Sequence, residues 1–175
     1  MDGMPMYLKR LEMENFKSFR GEITIPLERG FTAITGPNGS GKSNCGDAIQ
    51  FVLGYKSAKD VRATNVKDLI FNGGKNDKPA KHCRVTLVFD NPEDSTGSRR
   101  LQIDADEVHF SRLVRIMNSG NTDSKYQLNG EPSSHRQFKL LLSNANARAD
   151  GYNVVLQGMV RELAEMTAKR RRKVL

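Results

Sequence analysis

The run Gly36-Pro37-Asn38-Gly39-Ser40-Gly41-Lys42-Ser43 matches G-x-x-x-x-G-K-[ST] at every fixed position. It constrains the fold more than any other feature of the chain. Its glycines let the backbone take turns closed to residues with a Cβ and bring N–H groups up to phosphate oxygens. Lys42 supplies positive charge for the outer phosphates, and Ser43 supplies a hydroxyl for Mg²⁺. The bland alternative is a Gly/Ser-rich turn that happens to end in Lys-Ser. Four fixed positions match by chance on the order of once in a hundred chains of this length. The flanks weigh against chance as well. Phe31-Thr32-Ala33-Ile34-Thr35 reads as a short strand of aromatic and β-branched residues. Cys45, Ala48, Ile49, Val52 and Leu53 recur at helical spacing behind the loop. Strand, glycine loop and helix form the context the motif requires, so an α/β fold with a nucleoside triphosphate site is expected.

With 175 residues the chain predicts one domain with a sizeable core. No run of 18 apolar residues exists, so no membrane partner is expected. The N-terminus lacks an apolar signal core, which predicts a cytoplasmic location. Two cysteines, Cys45 and Cys83, are too few for a disulfide framework, and Cys45 falls on the buried helix stripe. His82, His109 and His135 show no ligand spacing. The net charge is +8 and the pI about 9.7. That balance suits a polyanion such as DNA, though a basic solvated surface would look the same.

Along the chain, Leu8 to Phe16 alternates as a half-buried strand, and Ile23, Ile25 and Leu27 alternate in a second. Between them Asn15-Phe16-Lys17-Ser18-Phe19 makes a basic turn, in which Lys17 and Ser18 either reach phosphate or lie exposed. Gly54 ends the loop helix. A basic segment follows through Ala63, then an apolar step over Asp68-Leu69-Ile70-Phe71, then a lysine-rich loop from Lys75 to Lys81. Val85, Leu87 and Phe89 mark a strand ending at Asp90-Asn91-Pro92. Asp90 reads there as a turn residue or as a metal carboxylate. Asn91 to Asp106 is polar and is expected to be a mobile loop. Strands follow at Val108 to Ile116 and at Tyr126-Gln127-Leu128. Asn129-Gly130 signals a hairpin, and Ser133 or Ser134 caps a helix with Phe138, Leu141 and Leu142 inward. Asn153 to Gln157 reads as an apolar strand. A helix follows, with Val160, Leu163, Ala164 and Thr167 on one face. Its basic end, Lys169 to Leu175, carries no stop signal, so the helix is expected to run on.

Four blocks in this order resemble the N-terminal half of an SMC (structural maintenance of chromosomes) ATPase head, the archaeal form above all. They are Asn15 to Phe19, Gly36 to Asn44, Ala58 to Ala63, and Gly151 to Gly158. The likeness runs from about Tyr7 to Leu175. It implies a P-loop fold of the ABC-ATPase head type: an antiparallel β element beside the strand–loop–helix core. The head lobe would occupy residues 1–158, and residues 159–175 would lead into a coiled coil.

The resemblance also implies roles. ATP would be held by Lys17, Ser18, Pro37, Asn38, Gly39, Ser40, Gly41, Lys42, Ser43 and Asn44, with Asp68 near the adenine. Mg²⁺ would be bound by Ser43 and Gln157, the latter matching a Q-loop glutamine that also meets the attacking water. Arg62 would link the nucleotide site to DNA-stimulated hydrolysis. Met159 stands where the family commonly has Asp. The family's Walker B carboxylates and signature motif lie in a C-terminal half, and neither pattern occurs here, which favours the turn reading of Asp90. Expected partners are that C-terminal half, a second head joined through ATP, a kleisin-type subunit and DNA, at the chromosome or nucleoid. Two enzymes remain as alternatives: a coiled-coil ATPase of double-strand-break repair, and a stand-alone P-loop kinase or NTPase using Asp90. A third reading is a DNA-binding module without catalysis.

Overall fold

The computed structural model describes residues 6–54 and 62–144. The predicted strand at Asn153 to Gln157 and the final helix lie outside these residues, as does the Lys56 to Val61 stretch.

Six strands among the described residues form one antiparallel sheet: β1 (Leu8–Glu14), β2 (Glu22–Pro26), β3 (His82–Asp90), β4 (Glu107–Ile116), β5 (Thr122–Leu128) and β6 (Glu131–Ser133). Their spatial order is β2-β1-β3-β4-β5-β6. Register follows the alternation seen in the sequence. Ile25, Leu11, Leu87, Phe110 and Leu128 line up across five strands, on the face that packs the core. The neighbouring row on the other face reads Thr24, Glu12, Thr86, Ser111 and Gln127. A slip of one residue in any strand would exchange these two rows, so burial of one face specifies the register. β3 is the central strand, and Thr86 and Val88 on its second face are buried too.

Among the described residues, two α-helices pack on the apolar face. α1 (Lys42–Leu53) is flanked by Gly41 and Gly54; it buries Cys45, Ala48, Val52 and Leu53 as its periodicity predicts, leaves the expected Ile49 half-buried, and buries Phe51 as well. α2 (His135–Asn144) lays Phe138 and Leu142 into the same core. The Ser134 hydroxyl accepts the Gln137 N–H at 3.2 Å, so Ser134 is the cap that the sequence left open between two serines. Phe110 stands edge-on to both Phe89 and Phe138, a packing mode aromatic quadrupoles favour. Asn129 and Gly130 both have positive φ, 49° and 85°, and turn β5 into β6 as their dipeptide predicts.

Two expectations need correction. Phe31 to Thr35 is not a strand: it makes no ladder with the described residues. Phe31 is 91% exposed and Ile34 43%. A buried strand needs neighbours on both edges to satisfy its backbone groups, and no described strand lies beside it. Asn91 to Asp106 is not a free loop either. The Asn91 side chain, fully buried, donates to the carbonyls of Leu101, Ile103 and Ala105 at 3.2, 3.1 and 3.0 Å, and accepts the Leu101 N–H at 3.0 Å. Arg99 adds bonds to the Asn91 carbonyl and to Asp106. A polar sequence concealed a segment wound around one amide, with Leu101 as its buried anchor.

Candidate nucleotide-binding site

The glycine loop leads directly into α1. Gly41, just before the helix, has φ 92°, and no side chain caps the first turn. The first-turn amides and the positive end of the helix dipole thus face an anion site. The ammonium of Lys42 lies over the loop, donating to the carbonyls of Gly36 and Pro37, each at 2.6 Å. Ser40 closes the loop's inner turn through its N–H to the Pro37 carbonyl. Pro37, Asn38, Gly39, Ser40 and Ser43 are solvent-exposed, available to a ligand arriving from outside.

The turn after β1 braces this loop. Asn44 donates its side-chain amide to the Ser18 hydroxyl at 2.8 Å. A Cβ placed on Gly41 would stand 2.9 Å from the Phe19 ring, so only glycine lets turn and loop touch. The turn is itself fixed to the segment beyond Arg62: the Lys17 N–H donates to the Leu69 carbonyl, and the Phe71 N–H to the Asn15 carbonyl, both at 2.8 Å.

Sequence reasoning missed one residue here. Asp47, one turn beyond Lys42 on α1 and 3% exposed, accepts from the Lys17 ammonium. It also takes both the Nε (3.0 Å) and Nη2 (2.7 Å) of Arg62. The pairing raises the Arg62 pKa above its ordinary value. Lys17 and Arg62, two site residues assigned by resemblance, are thereby gathered on one carboxylate. A signal existed: Asp47 is the single acid of α1, on a buried side that otherwise carries apolar residues and Gln50.

Asp68 has a local role. Its carboxylate accepts the N–H of Thr64 and of Asn65 at 3.0 and 2.7 Å, making a capping box on the 3-10 turn Val66–Leu69. Asp90 stays away from the loop. It ends β3 beside the start of β1 and binds Arg29 at 2.6 Å. The turn carrying Lys17 follows the far end of β1, about 20 Å off at strand rise. Cys45 is buried as expected, and burial pushes the Cys83 thiol up to about 12. Among the described residues no group of His, Cys, Asp and Glu could hold a metal. No described helix is long and apolar enough to cross a membrane. Gln157 lies outside the described residues.

Comparison with known proteins places this geometry. Residues 7–150 match the family described as RecF/RecN/SMC N terminal domain. The chain is 44% identical over 167 residues to the chromosome partition protein Smc of Pyrococcus furiosus, and 39% over 164 residues to that of Fusobacterium nucleatum. These alignments take in 95% and 94% of the chain but only 13% of each relative, so the chain spans about an eighth of their length. Among solved structures it resembles a chain from work on ATP-driven dimerization and DNA-stimulated activation of SMC ATPases. The TM-score is 0.83 at 44% identity, with 96% of both chains covered. It also resembles the Smc head domain of Pyrococcus furiosus bound to the C-terminal domain of ScpA, at TM-score 0.84 and 42% identity. That match covers 97% of this chain and 40% of the other. The fold is thus the P-loop α/β fold of SMC ATPase heads, and the chain belongs to the RecF/RecN/SMC N-terminal domain family.

Proposed function

We propose that the chain is the ATP-binding N-terminal half of an SMC head, serving DNA-dependent chromosome condensation and segregation. The observation that carries this is the Gly36 to Ser43 loop entering an uncapped helix, with Lys42 laid over it. The residues fit the triphosphate: the Gly41 position admits no Cβ, and the first-turn amides have no side-chain partner. Lys42 would move from the Gly36 and Pro37 carbonyls to the outer phosphates. Ser43 would bind Mg²⁺, which when bound supplies positive charge to the phosphate oxygens. Ser18 and Asn44 would hold the loop in shape. Gln157 would approach the metal and the attacking water, and Asp68 would keep its turn near the adenine by capping it.

A water-activating base and a Walker B carboxylate are needed as well, and Asp90 is placed for neither. The chain alone should therefore turn over ATP negligibly. Phe31 and Ile34, exposed beside the loop, suit an apolar edge covered by the C-terminal half of the head. Two such heads would close over ATP, so that nucleotide binding stabilises the dimer by mass action. ScpA held by the Pyrococcus head supports a kleisin-type subunit as a partner here, and the net charge of +8 suits DNA. Residues 159–175 would lead into a coiled coil.

The deciding experiment combines this chain with the C-terminal half and measures dimer formation with ATP and hydrolysis with and without DNA. ATP-dependent dimers and DNA-stimulated hydrolysis, both lost in Lys42→Ala, are expected. Lys42-dependent turnover by the chain alone would contradict the half-site reading.

A further inference from the structure

We propose that Asp47 is a positioning residue for Arg62, its buried carboxylate holding the guanidinium beside the phosphate loop until phosphate oxygens compete for it. This rests on the nucleotide-binding reading above and adds to it the residue that Arg62 must leave.

The Asp47 carboxylate bonds two cations at once, Lys17 and Arg62. Asp47 lies five residues into α1 from Lys42, a rise of about 7 Å. The Lys17 turn touches the loop through Ser18 with Asn44 and through Phe19 with Gly41. The shared carboxylate and its two cations therefore stand beside the wall of the anion site.

The two cations differ in how freely they can move. The Lys17 side chain is 11% exposed, and its N–H is fixed to the Leu69 carbonyl. Taking Lys17 away would leave a desolvated charge to be paired again elsewhere. The Arg62 side chain is 50% exposed, so water already solvates half of it and its transfer to another acceptor costs little. When Arg62 leaves, Lys17 remains on Asp47. One carboxylate thus keeps Lys17 structural and Arg62 exchangeable. The guanidinium meets Asp47 through two nitrogens, and the same fork matches two phosphate oxygens.

The fold also ties Arg62 to the turn. Leu69, Ile70 and Phe71 pair with Asn15 to Lys17, so the segment that follows Arg62 is anchored to the segment that carries Lys17. Arg62 and Lys17 themselves hold positive φ, 50° and 51°, a conformation uncommon for non-glycine residues. The Lys17 backbone is held in that conformation by its N–H bond to the Leu69 carbonyl.

The test is Mg·ATPγS binding to the full chain by calorimetry, for wild type, Asp47→Asn, Arg62→Ala, the double variant, and Lys42→Ala as control. Asp47→Asn removes the competing charge but keeps the shape. It should tighten binding about three- to tenfold, the scale of one unit charge near a partly solvated site. In the Arg62→Ala background the same change should gain less than about twofold, because no guanidinium remains to be released. Equal gains in both backgrounds would mean that Asp47 acts only through space on the phosphates, and would overturn the positioning role. Unchanged or weaker binding by Asp47→Asn would overturn it too. Should Asp47→Asn fail to fold, the wild-type Arg62 Nε–H resonance, assigned by its loss in Arg62→Ala, decides. It should shift on saturation with Mg·ATPγS, and an unmoved resonance ends the proposal. Wild type that binds no ATPγS defeats the nucleotide reading itself. Wild type that binds only with Lys42 intact leaves that reading standing, whatever the Asp47 variants do.

Discussion

At the scale of single residues, the side chains that organise this fold are polar ones in apolar places. Asn91 shares the two N–H bonds of one amide among three carbonyls and accepts one N–H. Asn91→Ala should cost about 2–4 kcal/mol, since orphaned buried backbone groups lose about 1–3 kcal/mol each and partial relaxation recovers some of it. Urea unfolding of the purified chain measures this. Asn91→Asp should be no better, because a carboxylate facing three carbonyls has nothing to accept from them. Arg112 is a second case: half-buried over the rings of Phe51 and Tyr126, it donates to the Phe51 carbonyl at 2.9 Å near the end of α1. Desolvation lowers its pKa. At the loop, Gly41→Ala meets both the Phe19 ring and an unfavourable φ. ATP affinity should drop at least tenfold by calorimetry, with folding retained by circular dichroism.

At the scale of elements, strands in this sheet are cross-linked beyond their nearest neighbours. Glu107 on β4 reaches across β3 to Lys9 and Arg10 on β1, at 2.6 and 2.8 Å. Those hydrogen bonds hold the Glu107 carboxyl at about 2, below its usual 4.5. A depressed carboxylate contributes stability that is present above pH 4.5 and lost as pH falls through about 2. Glu107→Gln should therefore cost about 1 kcal/mol at neutral pH, a modest value because the pairs are partly exposed and screened. Thermal melts of both proteins from pH 7 down to pH 2 should converge. A gap that stays constant would show that Glu107 acts by packing. On α2, Ser134→Ala removes the N-cap seen at 3.2 Å and should lower stability by about 1 kcal/mol in the same melts.

At the scale of the whole molecule, the apolar edge at Phe31 and Ile34 matters most. A side chain 91% exposed contributes little to this chain's own stability, so Phe31→Asp should leave its melting midpoint nearly unchanged. Affinity for the C-terminal head half should fall by about tenfold or more, because a charge would enter an apolar contact. Surface plasmon resonance with the two halves gives that number.

How much was legible beforehand differs between the parts. The loop, α1, the strands and the Asn129-Gly130 hairpin follow from local pattern: period 2, period 3.6, and residues suited to positive φ. The strand predicted at Phe31 failed because its composition describes a strand only when neighbours are present to pair with it. The Asn91 segment was misread because polar composition cannot say whether donors face water or each other. The resemblance favours a turn role for Asp90, and the fold sets it with Arg29 beside the start of β1, away from the end that carries Lys17.

By itself, then, the sequence determined that a phosphate loop would precede an amphipathic helix and that alternating strands would share one apolar face. These are short-range properties, set by backbone sterics and by the spacing of apolar side chains. Only the tertiary structure decided that Lys17, 30 residues before Asp47 in the chain, and Arg62, 15 after it, would meet on that carboxylate. The physical reason is desolvation: a charge buried in an apolar interior must find its partners wherever the fold brings them, and local pattern carries no record of where that is.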